Sequence, residues 1–571
     1  MNKIMYSGAE ILIKSLLKEG VKQVFGYPGG VVLPLYDALY LQDDIKHYLV
    51  RHEQAAVHAA EGYARVSGRA GVAIVTSGPG ACNTVTGLAN AYYDGTPLVL
   101  ITGQVNSSLI GGDAFQEADV VGITRSCCKH NYLVKDVKDL AKTVQEAFYI
   151  ATTGKKGPVV IDIPVDIFNA KHTFTYPKNV ELIGYNPNYK GHPLQIQKAL
   201  NTLYEAKRPV IISGGGVVAS NSHGELKEIA TRLSIPVVHT LMGTGTYSDY
   251  LENGLGMMGM HGNYCANLTV SNADVIFAIG TRFSDRITGC LKKFARDAQV
   301  IHVDIDPCSI SKNVKANIPI VGDIKNVLSA MLHQMDKDKH EVNTELKDKW
   351  LAEIEEWKKK KAIPQKLSDK LSAVTVLRTI YEYTKKDEPV VSTEVGQHQM
   401  WTAQNFKFNK PRKFITSGGL GTMGFGFPAA MGAYLALNSK DKYVLNIAGD
   451  GSIQMNIQEM MTCMDYKFKV INCIINNGYL GMVRQWQEKI YNGHYSQTKI
   501  SSPDFVKLAE SYGALGIRVT KEEEIIPALK QAIEFDGAVM IDFVCENFEM
   551  VYPWVLAGKP IDNVLLSEED C

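Results

Sequence analysis

Tyr443-Val-Leu-Asn-Ile-Ala-Gly-Asp-Gly-Ser452, followed some 25 residues later by Asn476-Asn477, carries the densest chemical signal in the chain. Tyr443 to Ala448 is a short, nearly continuous apolar run, as expected of a strand buried on both faces of a parallel sheet. Gly449 ends it. Glycines at 449 and 451 allow a backbone to approach a phosphate closely, and Asp450 offers a carboxylate to a cation that wants about six oxygens. Ser452 is expected to open a helix over 453–465 whose amide end favours anions. Lys469 to Ile475 then reads as the next strand, with the Asn477 side-chain carbonyl at its tip. Two strand tips converge on one cation, and a single carboxylate suits magnesium when diphosphate oxygens and water complete the shell. The plain alternative is a pair of ordinary turns, since Gly, Asp and Asn favour turns for local reasons. The strand, helix and strand placement favours the diphosphate holder.

The 571 residues exceed what a single core accommodates and call for several domains. Lys plus Arg and Asp plus Glu are both 60, so no net field draws the chain to nucleic acid or an anionic membrane. Small-molecule ligands are expected instead. Ten cysteines without a CxxC do not form a disulfide framework, which favours a reducing compartment. The N-terminus passes directly into a helical pattern at Ile11, Leu12, Leu16 and Leu17, and no apolar stretch approaches a membrane span of about 20 residues. The expectation is a soluble cytoplasmic protein.

Runs rich in Val and Ile recur at 72–76, 98–102, 159–163, 210–213, 275–279 and 300–304, with helical periods between them, as in Leu226 to Leu233. That alternation predicts parallel α/β sheets. Pro-, Tyr- and Asn-rich residues near 170–195 and a highly charged stretch over 336–366 interrupt it. Three α/β domains are expected, over 1–175, 190–340 and 365–571, with no internal sequence repeat. Lys358 to Lys361 reads as a solvated helix face or linker.

Thr416 to Pro428 is a glycine-dense loop leading into a helix expected at 429–436. Its glycines suit close helix packing equally well. Met423 is unbranched and polarizable, able to wedge beneath a bent ligand or simply to fill a core. Between 190 and 340, Ser213-Gly-Gly-Gly216, His261, Gly280-Thr-Arg-Phe283 and His302-Val-Asp-Ile-Asp-Pro307 suggest a dinucleotide site, with Arg282 for phosphate and acids at a strand end for ribose hydroxyls.

The GDG and NN spacing is similar to the thiamine-diphosphate signature. Together with Phe25-Gly-Tyr-Pro-Gly-Gly30, Thr76-Ser-Gly-Pro-Gly-Ala81, Ala114-Phe-Gln-Glu117, Gly396-Gln-His-Gln-Met-Trp401, Gly419-Leu-Gly-Thr-Met-Gly-Phe425 and Gly481-Met-Val-Arg-Gln-Trp-Gln487, it closely resembles the catalytic subunits of the acetohydroxyacid (acetolactate) synthase family, nearly end to end. The resemblance implies an α/β protein of three domains, each a mainly parallel sheet flanked by helices: a pyrimidine-binding domain, a central FAD-binding domain and a diphosphate- and Mg2+-binding domain. Glu53 lies where a strand expected at 46–50 meets a helix expected at 55–66, usually the place of a solvated cap. In a thiamine enzyme such a glutamate hydrogen-bonds the cofactor's aminopyrimidine and promotes loss of the thiazolium C2 proton.

By the same resemblance, Gln116 and Gly30 stand near the reacting carbonyl, and Asp450, Asn477 and the Tyr479 carbonyl hold magnesium. Val395, Gly396, Gln397, His398, Gly421, Met423, Gly449, Gly451, Ser452 and Met482 contact thiamine diphosphate. Gly214, Gly215, His261, Arg282, Asp304 and Asp323 bind FAD, in a structural role. Phe115, Arg286, Val483 and Trp486 face substrate. Pyruvate would be decarboxylated and its hydroxyethyl carbanion passed to a second 2-ketoacid, pyruvate or 2-ketobutyrate, in branched-chain amino acid biosynthesis. The site would lie between two protomers of a homo-oligomer, with a regulatory small subunit as a further partner. Four departures stand out: Val165 where Lys is usual, Ser284 where Asp is, Lys155 where Arg is, and Trp554 where Met is. Val165 and Ser284 leave open another thiamine carboligase, a 2-ketoacid decarboxylase or a pyruvate oxidase; a third reading, a catalytically silent scaffold that binds cofactors, is opposed by Glu53, Asp450 and Asn477.

Overall fold

The computed structural model describes residues 4–338, 344–363, 365 and 368–570. Of the charged stretch over 336–366, residues 339–343, 364 and 366 lie outside the described residues, and much of the rest forms the helix Thr344–Lys358, on which the lysine run begins. The chain folds into two compact units. One comprises residues 1–186, 389–398 and 415–544, the other 187–388, 399–414 and 545–571. Among the described residues no helix is long and apolar enough to cross a membrane.

The first unit contains two six-stranded sheets. Across the first, the strands run Lys46–Leu49, Gln23–Tyr27, Gly71–Val75, Leu98–Gln104, Pro158–Pro164 and His130–Leu133, all pairings parallel. Across the other they run Phe414–Ile415, Val390–Thr393, Val444–Gly449, Val470–Asn476, Val539–Val544 and Leu515–Val519. In chain order both read second, first, third, fourth, sixth, fifth. Their central strands are buried over nearly their whole length, which is why they appear in the sequence as runs rich in Val and Ile.

In each sheet the helix after the second strand is the one that meets the other half of the unit. Glu53–Ser67 and Gly426–Leu437 pack together, and the contact is reciprocal. A Cβ on Gly62 would run into the Ala429 carbonyl, and one on Gly432 into the Ala59 carbonyl. Ala59-Ala-Glu-Gly62 and Ala429-Ala-Met-Gly432 are therefore the same small-residue device used twice. No repeat was expected from the sequence; the fold reveals one, reduced to the residues that let two backbones approach.

The second unit contains the third six-stranded sheet, all parallel, in the order Gly254–Met257, Val237–His239, Pro209–Ser213, Val275–Ile279, Gln299–Asp304, Ile318–Val321. In chain order this reads third, second, first, fourth, fifth, sixth, the doubly wound arrangement that binds dinucleotides where the order reverses. The chain is thus α/β, with three parallel sheets flanked by helices.

Candidate active site

Gly449 pairs with Ile475 across neighbouring strands, so Asp450 and Asn477 leave the sheet side by side at its carboxyl edge. The sheet places its open crevice there. Asp450 is 1% exposed and accepts hydrogen bonds from the Gly478 amide at 3.1 Å and the Ser502 hydroxyl at 3.2 Å. Burial pushes its carboxyl up to about 6, and no cationic side chain pairs with it among the described residues. A buried carboxylate without a countercharge is costly. A divalent cation would resolve that cost, and the residues present fit magnesium. Asn477 beside it donates to Gln397 Oε1 at 3.3 Å and accepts the Tyr479 amide at 3.1 Å, which fixes the turn bearing the Tyr479 carbonyl. Tyr479 in turn bridges to Lys499, aligning the strip that carries Ser502.

Around this pair the backbone is close-packed. A Cβ on Gly449 would lie 2.9 Å from the His398 ring, and one on Gly451 2.8 Å from Leu480. His398 follows the neighbouring strand tip with Val395, Gly396 and Gln397, and burial pushes its imidazole down to about 3, so it stays neutral. Ser452 does not open the long helix expected over 453–465. The chain makes a tight 3-10 turn, Ile453–Asn456, and only then the helix Glu459–Tyr466. Ile453 is buried, and the buried Asn456 amide donates to the Gly424 carbonyl at 2.7 Å, drawing the segment inward before it can wind as an α-helix. The Ser452 hydroxyl turns back to the Gly449 amide at 3.1 Å.

The helix Gly481–Ile490 leaves the same edge with Arg484 and Gln485 buried; Met482 and Trp486 are half-buried and Val483 is exposed. The glycine-dense loop forms as expected and leads into its helix three residues earlier than expected. Gly421 has φ 75° and Gly424 φ 87°, conformations that glycine adopts at little cost, and they leave Met423 half-buried between them.

The first sheet's carboxyl edge gathers the other set. Glu53 begins its helix, half-buried, and accepts the Asn83 side-chain amide at 2.9 Å. Gly30 is exposed at the start of a 3-10 turn, Gly30–Val32. Gln116 has φ 60°, Phe115 is 88% exposed, and Glu117 accepts the Ala114 amide at 3.0 Å, holding the loop. Gly78 is pressed against this loop: a Cβ there would lie 2.6 Å from the Gln116 carbonyl. Among the described residues no hydrogen bond joins Glu53 to Asp450 or Asn477.

In the second unit Gly214 and Gly215 follow the first strand, Arg282 the fourth, Asp304 ends the fifth and Asp323 follows the sixth. All lie at one edge, with Gly214, Gly215 and Arg282 flanking the switch point. Asp304 accepts the Asp306 amide at 2.9 Å and Asp323 the Asn326 amide at 3.1 Å. Burial pushes His261 and His302 down to about 4, and the buried Nδ1 of each has no hydrogen-bond partner among the described residues. Two neutral imidazole nitrogens without partners, in the unit whose strand tips carry these acids and glycines, fit a bound nucleotide. Trp554 is buried and lies nearly parallel to His261, at 14° and 6.4 Å. Arg286 is exposed and pairs with Asp285 at 3.3 Å, while its carbonyl accepts the Met260 amide. Val165 starts the short helix Val165–Asn169, Ser284 precedes Asp285–Thr288 without a capping bond, and Lys155 lies 5.5 Å from the Tyr92 ring centre.

Several supporting residues carried no signal in the sequence. Asn83 holds Glu53, Ser502 holds Asp450, and Glu459 accepts the Arg51 amide at 2.9 Å beside the Glu53 turn. Glu394 accepts the Gly424 and Phe427 amides, and Asp94 those of Gly418 and Gly419.

The family descriptions that match are thiamine pyrophosphate enzyme, N-terminal TPP binding domain over residues 6–123, central domain over 196–331, and C-terminal TPP binding domain over 394–543. The chain is 48% identical over 574 residues to the acetolactate synthase isozyme 3 large subunit of Escherichia coli (strain K12), covering 99% of each. It is 49% identical over 571 residues to the acetolactate synthase large subunit of Buchnera aphidicola subsp. Acyrthosiphon pisum, again with 99% of each covered. A probable acetolactate synthase large subunit of Methanocaldococcus jannaschii is 47% identical over 570 residues, 98% of this chain and 95% of that protein. With both carboxyl edges built from the residues the signature requires, and relatives matched from end to end, the chain belongs to the thiamine pyrophosphate enzymes and, within them, to the acetolactate synthase large subunits.

Proposed function

We propose that this chain catalyses acetolactate synthesis: it decarboxylates pyruvate and joins the remaining two-carbon unit to a second 2-ketoacid, pyruvate or 2-ketobutyrate, for branched-chain amino acid biosynthesis. The observation that carries this reading is the Asp450 carboxylate, buried without a countercharge beside Asn477 at two adjacent strand tips. The near-full-length likeness to acetolactate synthase large subunits supports the choice of reaction.

Thiamine diphosphate, when bound, would supply a nucleophilic carbon for the ketone and a cationic ring to take up the electrons released as carbon dioxide departs. Asp450, Asn477 and the Tyr479 carbonyl would hold magnesium, and Gly449, Gly451 and Ser452 would admit the diphosphate. Gln397, His398, Gly421, Met423 and Met482 would orient the rings. Glu53 would hold a proton against the pyrimidine ring nitrogen, with Asn83 keeping its carboxylate in place. Phe115, Val483 and Trp486 would exclude water and size the acceptor, Gln116 and Gly30 would line the reacting carbonyl, and Arg286 would attract the acceptor carboxylate.

We assign residues 1–175 to pyrimidine binding, 190–340 to FAD and 365–571 to diphosphate and magnesium. The flavin reading rests on the switch point and the two buried histidine nitrogens. The reading includes a homo-oligomer in which a second copy of the chain completes the site. The relatives' designation as large subunits supports a smaller regulatory partner. We place the enzyme in the cytoplasm.

Product analysis tests the reading. The purified chain with thiamine diphosphate, Mg2+ and FAD is expected to form acetolactate from pyruvate, and acetohydroxybutyrate when 2-ketobutyrate is added. Acetaldehyde release or oxygen uptake without any acetolactate, alone or with a small subunit, would replace it with a decarboxylase or oxidase.

A further inference from the structure

The glycine-dense loop that carries Gly421 and Met423 is gripped at both ends by carboxylates. At its start, Asp94 accepts the amides of Gly419 at 2.6 Å and Gly418 at 3.1 Å, one on each oxygen. Arg65 pairs with the same carboxylate at 2.7 Å and donates to the Thr416 carbonyl at 2.8 Å. Asn90, one turn before Asp94, accepts the hydroxyls of Ser417 at 2.6 Å and Thr422 at 3.0 Å. At the far end, Glu394 is fully buried and accepts the amides of Gly424 at 2.7 Å and Phe427 at 3.0 Å, again one on each oxygen. Between the two grips Gly421 is exposed, and a Cβ there would meet nothing.

A loop of this composition is a poor candidate for intrinsic order, because glycine loses the most backbone freedom on being fixed. Each carboxylate satisfies two main-chain donors that would otherwise compete for water, and each needs both oxygens as acceptors. The grips come from opposite sides: Glu394 follows the strand Val390–Thr393 of the diphosphate sheet, while Asp94 and Arg65 belong to helices of the pyrimidine sheet. The loop's geometry therefore depends on both halves of the unit.

We propose that Asp94 and Glu394 are positioning residues that preform the Thr416–Gly424 loop, so that Gly421 and Met423 meet thiamine diphosphate in a fixed pose. This rests on the functional reading above. The isosteric amides are the discriminating variants, because Asp94→Asn and Glu394→Gln keep volume but turn one acceptor into an NH2 facing an N–H. In the full chain each is expected to raise the half-saturating concentration of thiamine diphosphate tenfold or more, with kcat at saturation changed less than threefold. Folded variants with unchanged half-saturation would overturn the proposal. Should the variants fail to fold, hydrogen exchange of the cofactor-free parent decides: the amides of Gly418, Gly419 and Gly424 are expected to exchange at least a hundredfold more slowly than an open loop. Exchange at the open-loop rate would overturn it. A parent that never binds thiamine diphosphate would sink the functional reading instead, and the exchange result would still stand.

Discussion

The two sheets of the first unit share a strand order, and each sends its second strand into a helix that packs on the other's, yet their carboxyl edges hold acids in opposite circumstances. Asp450 is buried, accepts the Gly478 amide and the Ser502 hydroxyl, and has its carboxyl pushed up by burial. Glu53 is half-buried beside the neutral amide of Asn83. In the proposed reading the first arrangement holds a cation that cancels its charge, and the second presents a carboxyl group to a bound ring. Strand order supplies the crevice, and the few residues after each strand tip decide its chemistry.

The comparison breaks most severely at the helix pair that joins the halves. Gly62→Val places a side chain where the Ala429 backbone already stands, and Gly432→Val does the same against Ala59. Overpacking against backbone cannot be relieved by a rotamer change, so a loss of about 3 kcal/mol or more is expected. Each variant should lose most of its soluble yield or its cooperative melting transition. Melting within a degree or two of the parent would mean that the reciprocal contact does not hold the halves together.

Next in size, Glu53→Gln tests the proton-holding edge alone. An amide cannot share a proton with the ring nitrogen, so kcat is expected to fall about 10²- to 10⁴-fold, the usual contribution of a general acid or base. Calorimetric affinity for thiamine diphosphate with Mg2+ should stay within a few-fold of the parent. Full activity would show that the two edges do not divide the work as described.

Much of this architecture is legible in the chain. Gly71–Val75 and Val275–Ile279 are buried along their length and Val470–Asn476 all but its last residue, so burial on both faces writes them as nearly continuous apolar runs. GDG and NN are legible because phosphate approach and cation ligation demand particular residue types at strand tips. The turn at 453–456 was not, since a buried amide reaching the Gly424 carbonyl, and not local propensity, ends the helix. Asp94 and Glu394 were equally hidden. Each acts on main-chain amides, which leave no mark on the partner's residue type, and Asp94 finds its partners more than 300 positions away. The internal repeat had faded to an Ala-Ala-x-Gly pair, the minimum that close helix approach requires.

Glu459 sharpens the comparison, because it lies on the helix that follows the Asp450 edge and accepts the amide of Arg51, two residues before Glu53. Burial pushes its carboxyl from 4.5 up to about 7, opposed by the Thr462 hydroxyl and the Arg51 amide. With the folded value raised, its contribution to stability is fully present below pH 4.5 and is lost as pH rises through about 7. Glu459→Gln removes that dependence. Denaturant unfolding of the two proteins between pH 4.5 and 7 should therefore shift in the variant's favour as pH rises, by about 3 kcal/mol over the window. A difference that stays flat with pH would mean the carboxylate is already ionised in the fold, its charge balanced by Arg51.

The smallest effect tests the proposed cation-holding edge through a residue that would not itself touch the metal. Ser502 donates to Asp450 from a strip aligned by the Leu480 amide on the Thr498 carbonyl at 2.8 Å and the Ile500 amide on the Gly478 carbonyl at 3.0 Å. Removing a hydrogen bond that orients a ligand costs roughly tenfold in metal affinity. Ser502→Ala should accordingly raise the half-saturating Mg2+ concentration in reconstitution with thiamine diphosphate by about that factor, while Asn83→Ala, which strips the equivalent support from Glu53, should leave it unchanged and lower kcat instead. A Mg2+ requirement that responds to Asn83 and ignores Ser502 would exchange the roles of the two edges, because each supporting bond can influence only the acid it holds.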